Sequence, residues 1–504
     1  MHPAPDLPPI VCSALPVGSP SMAKSSQELT PPITPPIVAI GNGIGHVDPL
    51  AVAQAVAQLP QAEEPLVAVI GCGYVGEHLI SSFSKHYNVL GYDLSQARLE
   101  VLRQTYNQKD SRITFTQDPG DLSKATHFLI SVPTLLLEDK TIDISYIQSA
   151  LGTVATFGRK GSTVVVESSV AVGMTRQLLG PLVDKKGFFV GMSPERVDPG
   201  RTEPSTHKIP KIVSGLDDVA PGSLEAIVRL YSSVFDTIIP VSKPEVAEMM
   251  KLYENCQRMM CIAFANEMAD ACIPFGVDPY EVCRAASTKP FGYMPYMPSL
   301  GVGGHCIPVN PYYLLSNSDF PLLKACTEKM WQRPVEMGQR ALRLLFGPDN
   351  EGTYPLSTVK RTDSGVDMSH DEMVADGALA KCGVGLTGGL MSLPETMSGA
   401  TTFKPRARVL VVGMGFKAGQ SVLSNSPGQK LAQFLAESGR VDVMFADPLV
   451  KQEAIPLIPR LPDEFWKKDT LEGFDMIIVA VKQHGLDLSV LQILQDVNVA
   501  IWCP

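Results

Sequence analysis

The sequence predicts an α/β protein in which two doubly wound domains are joined by a long central helix and a helical middle domain. Two stretches follow the order strand, glycine turn, helix; one begins at Leu66–Ile70 and the other at Arg408–Val412. Between them, Glu245 to Cys272 run for 28 residues without glycine or proline, which is typical of one long helix. Alternating strands and helices favour a parallel sheet with helices on both faces.

Domain boundaries follow from changes in composition along the chain. Residues 1–60 are rich in Pro, Ser and Ala, which predicts a disordered, low-complexity leader with a short helix or leader segment over 37–60. A dinucleotide-binding domain is predicted over 61–240, a helical central domain over 241–345 and a second doubly wound domain over 405–504. Residues 346–404 are rich in Gly, Ser, Thr and Asp, which favours an insertion or flexible linker.

Further elements are predicted inside these domains from short apolar runs bounded by turn residues. The predicted strands are Asn88–Tyr92, Phe128–Val132, Val164–Glu167, Phe188–Gly191 and Asp475–Ala480, and a helix is predicted from the first glycine turn to about His86.

Composition excludes several classes of function. The 504 residues carry a net charge of −10 without a basic patch, so nucleic-acid binding is not expected. The chain has neither a long uncharged apolar run that could span a bilayer nor the pattern of a secretory signal, so no membrane association is expected. Its ten cysteines lack paired or metal-binding spacing, which is typical of reduced thiols in a cytoplasmic protein and predicts no metal site.

The first glycine turn has the pattern of a Rossmann-like dinucleotide site. Gly71-x-Gly73-x-x-Gly76 lies between a predicted strand and a predicted helix, and Asp93 ends the next strand. Glycines let the backbone approach a pyrophosphate at the helix N-terminus. An acidic residue at this place binds the ribose and repels a 2′-phosphate, which favours NAD over NADP. The later Gly413-x-Gly415 lacks a third matching glycine before its helix and is predicted to bind a different phosphate group or none.

Another glycine-rich turn ends in a cysteine. It is the segment Gly301-Val302-Gly303-Gly304-His305-Cys306-Ile307-Pro308. Glycine is tolerated where a ligand or another backbone must come close, so the thiol of Cys306 could reach a bound substrate. A buried free cysteine after a tight turn is an equally good interpretation.

Polar residues on the long helix form a further candidate site. Lys251, Asn255 and Arg258 fall at i, i+4 and i+7, with Asn266 further along the same face. An ammonium group and an amide on one face can stabilise a developing oxyanion in a site that excludes water. The alternative is a solvated polar face.

The proline-bounded loop Ser193–Gly200 contains Glu195 and Arg196. The carboxylate could activate water and the guanidinium could hold an anionic substrate. A salt-bridged surface turn is the alternative interpretation.

Together these segments resemble the UDP-glucose/GDP-mannose dehydrogenase family over roughly residues 66–500, apart from the insertion. The motifs that carry the resemblance are Gly71–Gly76, Ser131-Val132-Pro133-Thr134, Glu167-Ser168-Ser169-Val170, Ser193–Gly200, the Lys251/Asn255 helix, Gly301–Pro308 with Tyr312-Tyr313-Leu314, and Gly413-Met414-Gly415-Phe416-Lys417 with Ser426-Pro427. The form of the Ser193–Gly200 loop is most similar to the branch that oxidises UDP-N-acetylhexosamines, such as UDP-N-acetylmannosamine and UDP-N-acetylglucosamine.

The resemblance implies a chemistry: the NAD-dependent, four-electron oxidation of a sugar C6 alcohol to a uronate, as used in polysaccharide biosynthesis. Cys306 would be the nucleophile that holds first a thiohemiacetal and then a thioester, which divides a hard oxidation into easier steps. Lys251 and Asn255 would stabilise the oxyanions, and Glu195 would help to activate the hydrolytic water.

The same resemblance implies the binding residues. Cofactor contacts would come from Gly71, Gly73, Tyr74, Val75, Gly76, Asp93, Thr134 and Ser169. Substrate contacts would come from Arg196, Val197, Lys251, Asn255, Arg258, Gly303, Phe416 and Lys417. The C-terminal domain would bind the UDP moiety of the nucleotide sugar, and the central domain would form a homodimer.

Departures from the family pattern leave alternatives open. Asn310 stands where aspartate is usual, Ser169 where threonine is usual, and Ser424 where an arginine usually clasps the substrate from the partner subunit. An amide cannot take a proton, and loss of a bidentate guanidinium weakens the binding of a nucleotide sugar. The main alternative is therefore a catalytically impaired protein that binds nucleotide sugars. A third interpretation is a 3-hydroxyacid dehydrogenase, which uses a lysine and no covalent thiol.

Overall fold

The structure is a computed structural model that describes residues 64–106, 112–198, 200–201, 203–347 and 406–504. The predicted leader over residues 1–60 lies outside the described residues. The predicted insertion over 346–404 lies outside them from residue 348 onward.

An eight-stranded sheet forms the first part of the molecule. The strands before residue 241 are β1 (Leu66–Ile70), β2 (Asn88–Tyr92), β3 (Ile113–Thr116), β4 (His127–Ile130), β5 (Leu135–Leu136), β6 (Ile142–Asp143), β7 (Thr163–Val166), β8 (Phe189–Met192), β9 (Lys211–Gly215) and β10 (Ile238–Pro240). The order in the large sheet is β10-β9-β8-β7-β4-β1-β2-β3, and β5 pairs with β6 in a separate hairpin. Neighbours in the large sheet are parallel except β8 and β9.

Helices cover both faces of this sheet. They are α1 (Tyr74–Phe83), α2 (Gln96–Thr105), α3 (Ser145–Phe157), α4 (Met174–Lys186) and α5 (Ser223–Tyr231). In β1, Ala68 and Ile70 belong to one buried hydrophobic cluster, and Val67 and Val69 belong to another. Because alternate residues of a strand point to opposite faces, both faces are packed, as in a doubly wound fold.

The middle of the chain is helical. Its helices are α6 (Pro244–Cys272), α7 (Pro279–Ala286), α8 (Asn310–Leu315) and α9 (Pro321–Phe346). The buried guanidinium of Arg333 lies 2.7 Å from the carboxylate of Asp270 and joins α9 to α6. None of the helices in the described part of the chain has the length and apolar character needed to cross a bilayer.

A second, smaller sheet completes the described chain. Its strands are β11 (Ala407–Val412), β12 (Val441–Ala446), β13 (Met476–Val479) and β14 (Asn498–Ile501), and its helices are α10 (Pro427–Glu437) and α11 (Lys468–Leu471). The strands run parallel in the order β12-β11-β13-β14. Gly338 of α9 allows close packing here, because a Cβ at that position would lie 2.3 Å from the ring of Phe434 in α10.

The predicted α/β architecture is confirmed, with small differences at element ends. The predicted β1 and β2 match the structure, and the long helix begins one residue earlier, at Pro244. The helix predicted to continue to His86 ends at Phe83, and the strand predicted to reach Val132 ends at Ile130. The residues after Ile130 therefore leave the sheet early and form a loop at its edge.

The register of the large sheet determines where the site lies. Ile70 pairs with Tyr92 and with Ile130, Ile130 pairs with Val166, and Val166 pairs with Met192. These strands therefore end level with one another, and the segments that follow them meet at one edge. Ligands of open α/β sheets bind outside the carboxyl ends of the strands, so this edge is where a site is expected.

Candidate active site

The first glycine turn leaves space at the N-terminus of α1. A Cβ on Gly76 would lie 2.0 Å from the carbonyl oxygen of Gly71, so the helix and the turn pack without room for a side chain. A Cβ on Gly73 would meet no heavy atom within 4 Å, and no side chain caps α1. The carboxylate of Asp93 stands beside the turn and accepts the backbone N–H of Cys72 at 2.7 Å. Open backbone donors beside an acidic residue fit the pyrophosphate and ribose of NAD.

The other predicted cofactor residues lie at the same edge of the sheet. Thr134 Oγ1 donates a hydrogen bond to the carbonyl of Ser169 at 2.9 Å, which joins the segments after β4 and β7. Tyr74 and Val75 lie in the first turn of α1, and Tyr74 is 41% exposed. Burial raises the pKa of Tyr74, and the nearby carboxylate of Glu195 raises it further. The dinucleotide turn and the Ser193–Gly200 loop are therefore neighbours.

The glycine turn before Cys306 is held against the C-terminal sheet. The backbone N–H of Gly304 donates to the carbonyl of Ser424, and the amide of Asn425 donates to the carbonyl of Gly304, both at 2.9 Å. A Cβ on Gly303 would lie 2.8 Å from Cβ of Phe416. These contacts explain why glycine is needed in the turn, and they place its cysteine where the helical middle meets the second sheet.

The half-buried thiol of Cys306 has charged neighbours. Burial raises its pKa, and the ammonium of Lys251 opposes that effect. Glu195 and Asp198 raise the pKa of the thiol further, whereas Arg258 lowers it. The thiol therefore lies in an ionic environment at the junction of three segments.

Lys251 and Glu195 lie together in that environment. Lys251 Nζ donates a hydrogen bond to the backbone carbonyl of Glu195 and lies 3.8 Å from its Oε2. Burial raises the pKa of Glu195, and the charge of Lys251 opposes the rise. The buried Glu195 Oε1 has no hydrogen-bond partner among the described residues, so it is available to accept a proton from a bound molecule.

Asn255 orders the segment that follows the cysteine. Its amide donates to Oδ1 of Asn310, and the backbone N–H of Asn310 donates to the carbonyl of Cys306 at 2.8 Å. An aspartate at 310 would offer an acceptor at the same place, so the departure from the family pattern keeps this bond. Asn266 serves packing instead, because its Oδ1 accepts the backbone N–H of Ser299 at 2.8 Å.

Three cations converge on one carboxylate beside the thiol. Asp198 lies 2.9 Å from Lys417 Nζ, 3.4 Å from Arg201 Nε and 3.9 Å from an Arg258 nitrogen. Burial would raise the pKa of Asp198, but the ammonium and guanidinium groups outweigh it and hold the pKa below its usual value. The cluster carries more positive than negative charge and suits an anion. Sequence reasoning missed Arg201, although it follows the predicted loop by one residue.

Arg196 and Val197 are placed differently from the cation cluster. Arg196 pairs with Glu254 at 2.5 Å and donates to the carbonyl of Pro210 at 2.8 Å. Its guanidinium therefore fastens the loop to α6. Val197 lines a cleft with Val75 of α1. Of the predicted substrate residues, Lys251, Asn255, Arg258, Gly303, Phe416 and Lys417 lie around the cysteine turn and the cation cluster.

Comparison with known families gives two matches. Residues 66–235 match the NAD binding domain of the UDP-glucose/GDP-mannose dehydrogenase family, and residues 245–329 match the central domain of the same family. Together these ranges cover just over half of the 504 residues.

Similar proteins are known from bacteria and archaea. The UDP-N-acetyl-D-glucosamine 6-dehydrogenase of Pseudomonas aeruginosa is 37% identical over 270 residues, which are 49% of this chain and 62% of the relative. The UDP-N-acetyl-D-mannosamine dehydrogenase of Pyrococcus horikoshii is 34% identical over 284 residues, which are 51% of this chain and 66% of the relative. The matched regions thus span a little less than two thirds of these relatives.

Solved structures share the fold over more of the chain. The structure of the UDP-D-ManNAc dehydrogenase from Pyrococcus horikoshii superposes with a TM-score of 0.65 at 24% identity and covers 87% of this chain and 95% of that chain. A UDP-glucose dehydrogenase from Pyrobaculum islandicum gives a TM-score of 0.66 at 20% identity and covers 88% and 96%.

Proposed function

This chain belongs to the UDP-glucose/GDP-mannose dehydrogenase family, and on that premise we propose that it is an NAD-dependent UDP-sugar 6-dehydrogenase. The proposed reaction oxidises the C6 alcohol of a UDP-N-acetylhexosamine to the uronate. One observation carries the proposal: Lys251 and Glu195 are charged neighbours of the Cys306 thiol, and one carboxyl oxygen of Glu195 has no hydrogen-bond partner in the described part of the chain.

The proposed chemistry balances as one alcohol, one water and two NAD+ giving one carboxylate, two NADH and three protons. NAD supplies the hydride acceptor for both oxidations. The sulfur of Cys306 bonds to the aldehyde carbon after the first oxidation, and the second oxidation leaves a thioester. Water then adds its oxygen to the acyl carbon, the C–S bond breaks, and the sulfur leaves as thiolate. Covalent capture keeps the aldehyde in the site.

The neighbours of Cys306 have candidate roles in these reaction steps. The ammonium of Lys251 is the candidate donor to the oxyanions, a type of group whose loss typically lowers the rate by about 10²–10³-fold. Glu195 Oε1 is the candidate acceptor for the proton of the hydrolytic water. Asn255 donates a hydrogen bond to Asn310. It is therefore the candidate residue that positions the segment after Cys306.

The cation cluster supports a nucleotide diphosphate as the rest of the substrate. Lys417, Arg201 and Arg258 surround a single carboxylate, Asp198. A diphosphate would form charge-assisted hydrogen bonds with these three groups. Arg201 is a candidate to supply the guanidinium that is lacking at Ser424.

The proposal includes a homodimer in the cytoplasm. Exposed apolar side chains follow one side of α6 and continue past its end; they are Met249, Tyr253, Phe264, Met268 and Phe275. Exposed apolar side chains grouped along one helix are typical of a protein interface. Light scattering should give twice the monomer mass, and the double substitution Tyr253→Glu and Phe264→Glu should give the monomer. A nucleophilic thiol must stay reduced, which supports the cytoplasmic location.

The test uses the purified full chain, NAD+ and a panel of UDP-N-acetylhexosamines, UDP-glucose and GDP-mannose. We expect two NADH for each uronate with a UDP-N-acetylhexosamine. Cys306→Ala should lower uronate formation by at least about 10³-fold, as expected for loss of a nucleophile. Cys326→Ala, which removes another half-buried thiol of the helical region, should leave the rate unchanged.

Two results would contradict the proposal. One is a correctly folded protein that forms no NADH from any sugar. The other is thermal stabilisation by a UDP-sugar without turnover, which would identify a non-catalytic binding protein.

A further inference from the structure

A buried ionic group lies beneath the loop that carries Glu195. Lys211 of β9 and Glu167, which follows β7, lie 2.6 Å apart. The hydroxyl of Tyr231 in α5 donates to the other oxygen of Glu167. Lys211 is 5% exposed, and Glu167 and Tyr231 are fully buried. The chemistry proposed above uses none of these three side chains.

Lys211 connects this group to the loop. Its ammonium also donates to the carbonyls of Ser193 at 3.2 Å and Pro194 at 3.4 Å, the two residues that precede Glu195. The backbone N–H of Glu195 donates to the carbonyl of Glu167 at 3.1 Å. Lys211 and Glu167 therefore hold the peptide groups that precede the side chain of Glu195.

Stability alone does not account for such a group. A buried ion pair loses so much hydration that a well-packed apolar replacement is often as stable or more stable. The rings of Tyr231 and Phe235 lie 5.9 and 5.6 Å from the ammonium of Lys211, so apolar side chains could fill the space. What an apolar side chain cannot do is donate to the two carbonyls before Glu195.

We propose that Lys211 is a positioning residue for thioester hydrolysis: it holds the loop so that the carboxyl of Glu195 faces the acyl carbon on Cys306. The inference rests on the proposed function, because it assigns the hydrolytic water to Glu195. In that step the water oxygen bonds to the acyl carbon, the C–S bond breaks, and one proton of the water passes to the carboxylate.

The charge of Lys211 also supports this role, because it favours the carboxylate form of Glu195. The charged and titratable groups around Glu195 are Lys251 of α6, Lys211 of β9, Glu167, Asp198 of the same loop, Cys306 and Tyr74 of α1. Burial raises the pKa of Glu195, and Lys251 and Lys211 lower it. Removing the charge of Lys211 raises that pKa further, so the carboxylate form, and the step that needs it, moves to higher pH.

The test compares Lys211→Met with the wild type in the first turnover and in the steady state. We expect a nearly unchanged burst of two NADH per site, because both oxidations precede hydrolysis. The steady-state rate should fall by about 10–100-fold, as for a misplaced catalytic group. Intact-protein mass should show the acyl group on Cys306, and the rising limb of the pH profile should move to higher pH.

Controls separate positioning from folding. Lys211→Arg keeps a donor and a charge and should recover most of the steady-state rate. Lys208→Met removes an exposed lysine nearby and should change nothing. If Lys211→Met does not fold, Tyr231→Phe tests the same group by removing the hydroxyl bonded to Glu167, and it should show the same pattern to a smaller extent.

The outcomes are distinguishable. An equal loss of burst and steady-state rate, without an acyl adduct or a pH shift, in an active wild-type background would overturn the positioning role and leave the proposed function intact. A wild-type protein that forms no NADH with any UDP-sugar would overturn both.

Discussion

The two strand–glycine–helix units of this chain, which begin at β1 and β11, share one hydrogen-bonding pattern. In the first, the backbone N–H of Cys72 donates to Asp93 at 2.7 Å; in the second, that of Met414 donates to Asp447 at 2.7 Å. Each aspartate follows the next strand, and each also accepts a backbone N–H two residues further on, at 2.8 and 2.9 Å. The two turns are therefore equivalent in their backbone geometry, although their sequences differ.

The contact made by the third glycine is also present in both units. A Cβ on Gly76 would lie 2.0 Å from the carbonyl of Gly71, and a Cβ on Gly428 would lie 2.6 Å from the carbonyl of Gly413. The second unit has no glycine at the third position of the fingerprint, as predicted, but Gly428 makes the corresponding contact from within the helix. Gly428 lies in the first turn of α10, on the far side of a loop over 416–426, so the spacing alone does not reveal it.

The units differ in the space beside the second glycine. A Cβ on Gly73 would meet nothing within 4 Å, whereas one on Gly415 would lie 2.1 Å from the carbonyl of Gln420. The amide of Gln483 donates to that carbonyl at 3.0 Å and to Asp447 at 3.2 Å. The second unit thus fills with its own loop the place that the first leaves open. The two units therefore share the hydrogen bonds of the turn. They differ in the length of the loop after the second glycine, which determines whether a ligand can enter.

The largest effect should come from the third glycine. Gly76→Ala places a methyl group against a backbone oxygen that cannot move away, and should lower the free energy of unfolding by about 3 kcal/mol. Gly428→Ala, with more room, should lower it by about 2 kcal/mol. Denaturant unfolding measures both. Gly152→Ala in α3, whose Cβ would meet no neighbour, is the control and should stabilise by about 0.5 kcal/mol. Equal stability of all three variants would contradict the packing argument.

The second glycine should separate binding from stability. Gly73→Ala should leave the free energy of unfolding unchanged and weaken NAD binding about tenfold, or about 1.4 kcal/mol, because the methyl group enters the open space. Gly415→Ala should do the reverse: a loss of about 2 kcal/mol in stability and an unchanged affinity for NAD. Calorimetric titration with NAD and denaturant unfolding of the same two variants check this. If Gly415→Ala also weakened NAD binding, the two units would not be independent.

Much of the fold was predictable because its signals are local. The first strand is apolar at every position, since both of its faces are buried, and the long helix α6 has neither glycine nor proline after its first residue. The first fingerprint was recognisable because its three glycines and Asp93 occur at short, regular spacing. Cys306, Lys251, Asn255 and Glu195 were recognisable as candidates from residue type and spacing. Their roles come from the family resemblance and stay predictions.

Other features depend on contacts that the local sequence does not encode. Lys211 meets Glu167 only because β8 and β9 follow β7 in the sheet, with β9 antiparallel to β8. Lys417 meets Asp198 only because the segments that follow β8 and β11 come together there. In each case a charged residue that would be assigned to the surface from sequence has a partner that is distant in the chain.

Asp93 and Asp447 should show the same contrast between cofactor binding and stability, with a smaller effect. Asp447→Asn replaces a buried acceptor of backbone and side-chain donors, and should cost about 1.5 kcal/mol of stability because one donor loses its partner. Asp93→Asn should change stability less, since this aspartate is partly open to solvent, but should raise the affinity for NADP relative to NAD. Affinities for both dinucleotides decide the point. An unchanged preference for NAD would mean that Asp93 serves only the turn.

The smallest effect should come from exchanging the residue between the first two glycines. Cys72→Met gives the first unit the residue of the second, and both side chains are fully buried. Burial raises the pKa of Cys72 to about 12, so its thiol is protonated at neutral pH and serves as a small apolar group. Methionine is larger, and Gly91 lies close to the sulfur, so we expect a loss of about 1 kcal/mol from overpacking. The affinity for NAD should stay within about twofold, because the N–H bond to Asp93 belongs to the backbone and the open space beside Gly73 is unchanged. A tenfold weaker affinity would show that the residue between the glycines, and not the loop after them, makes the first unit different from the second.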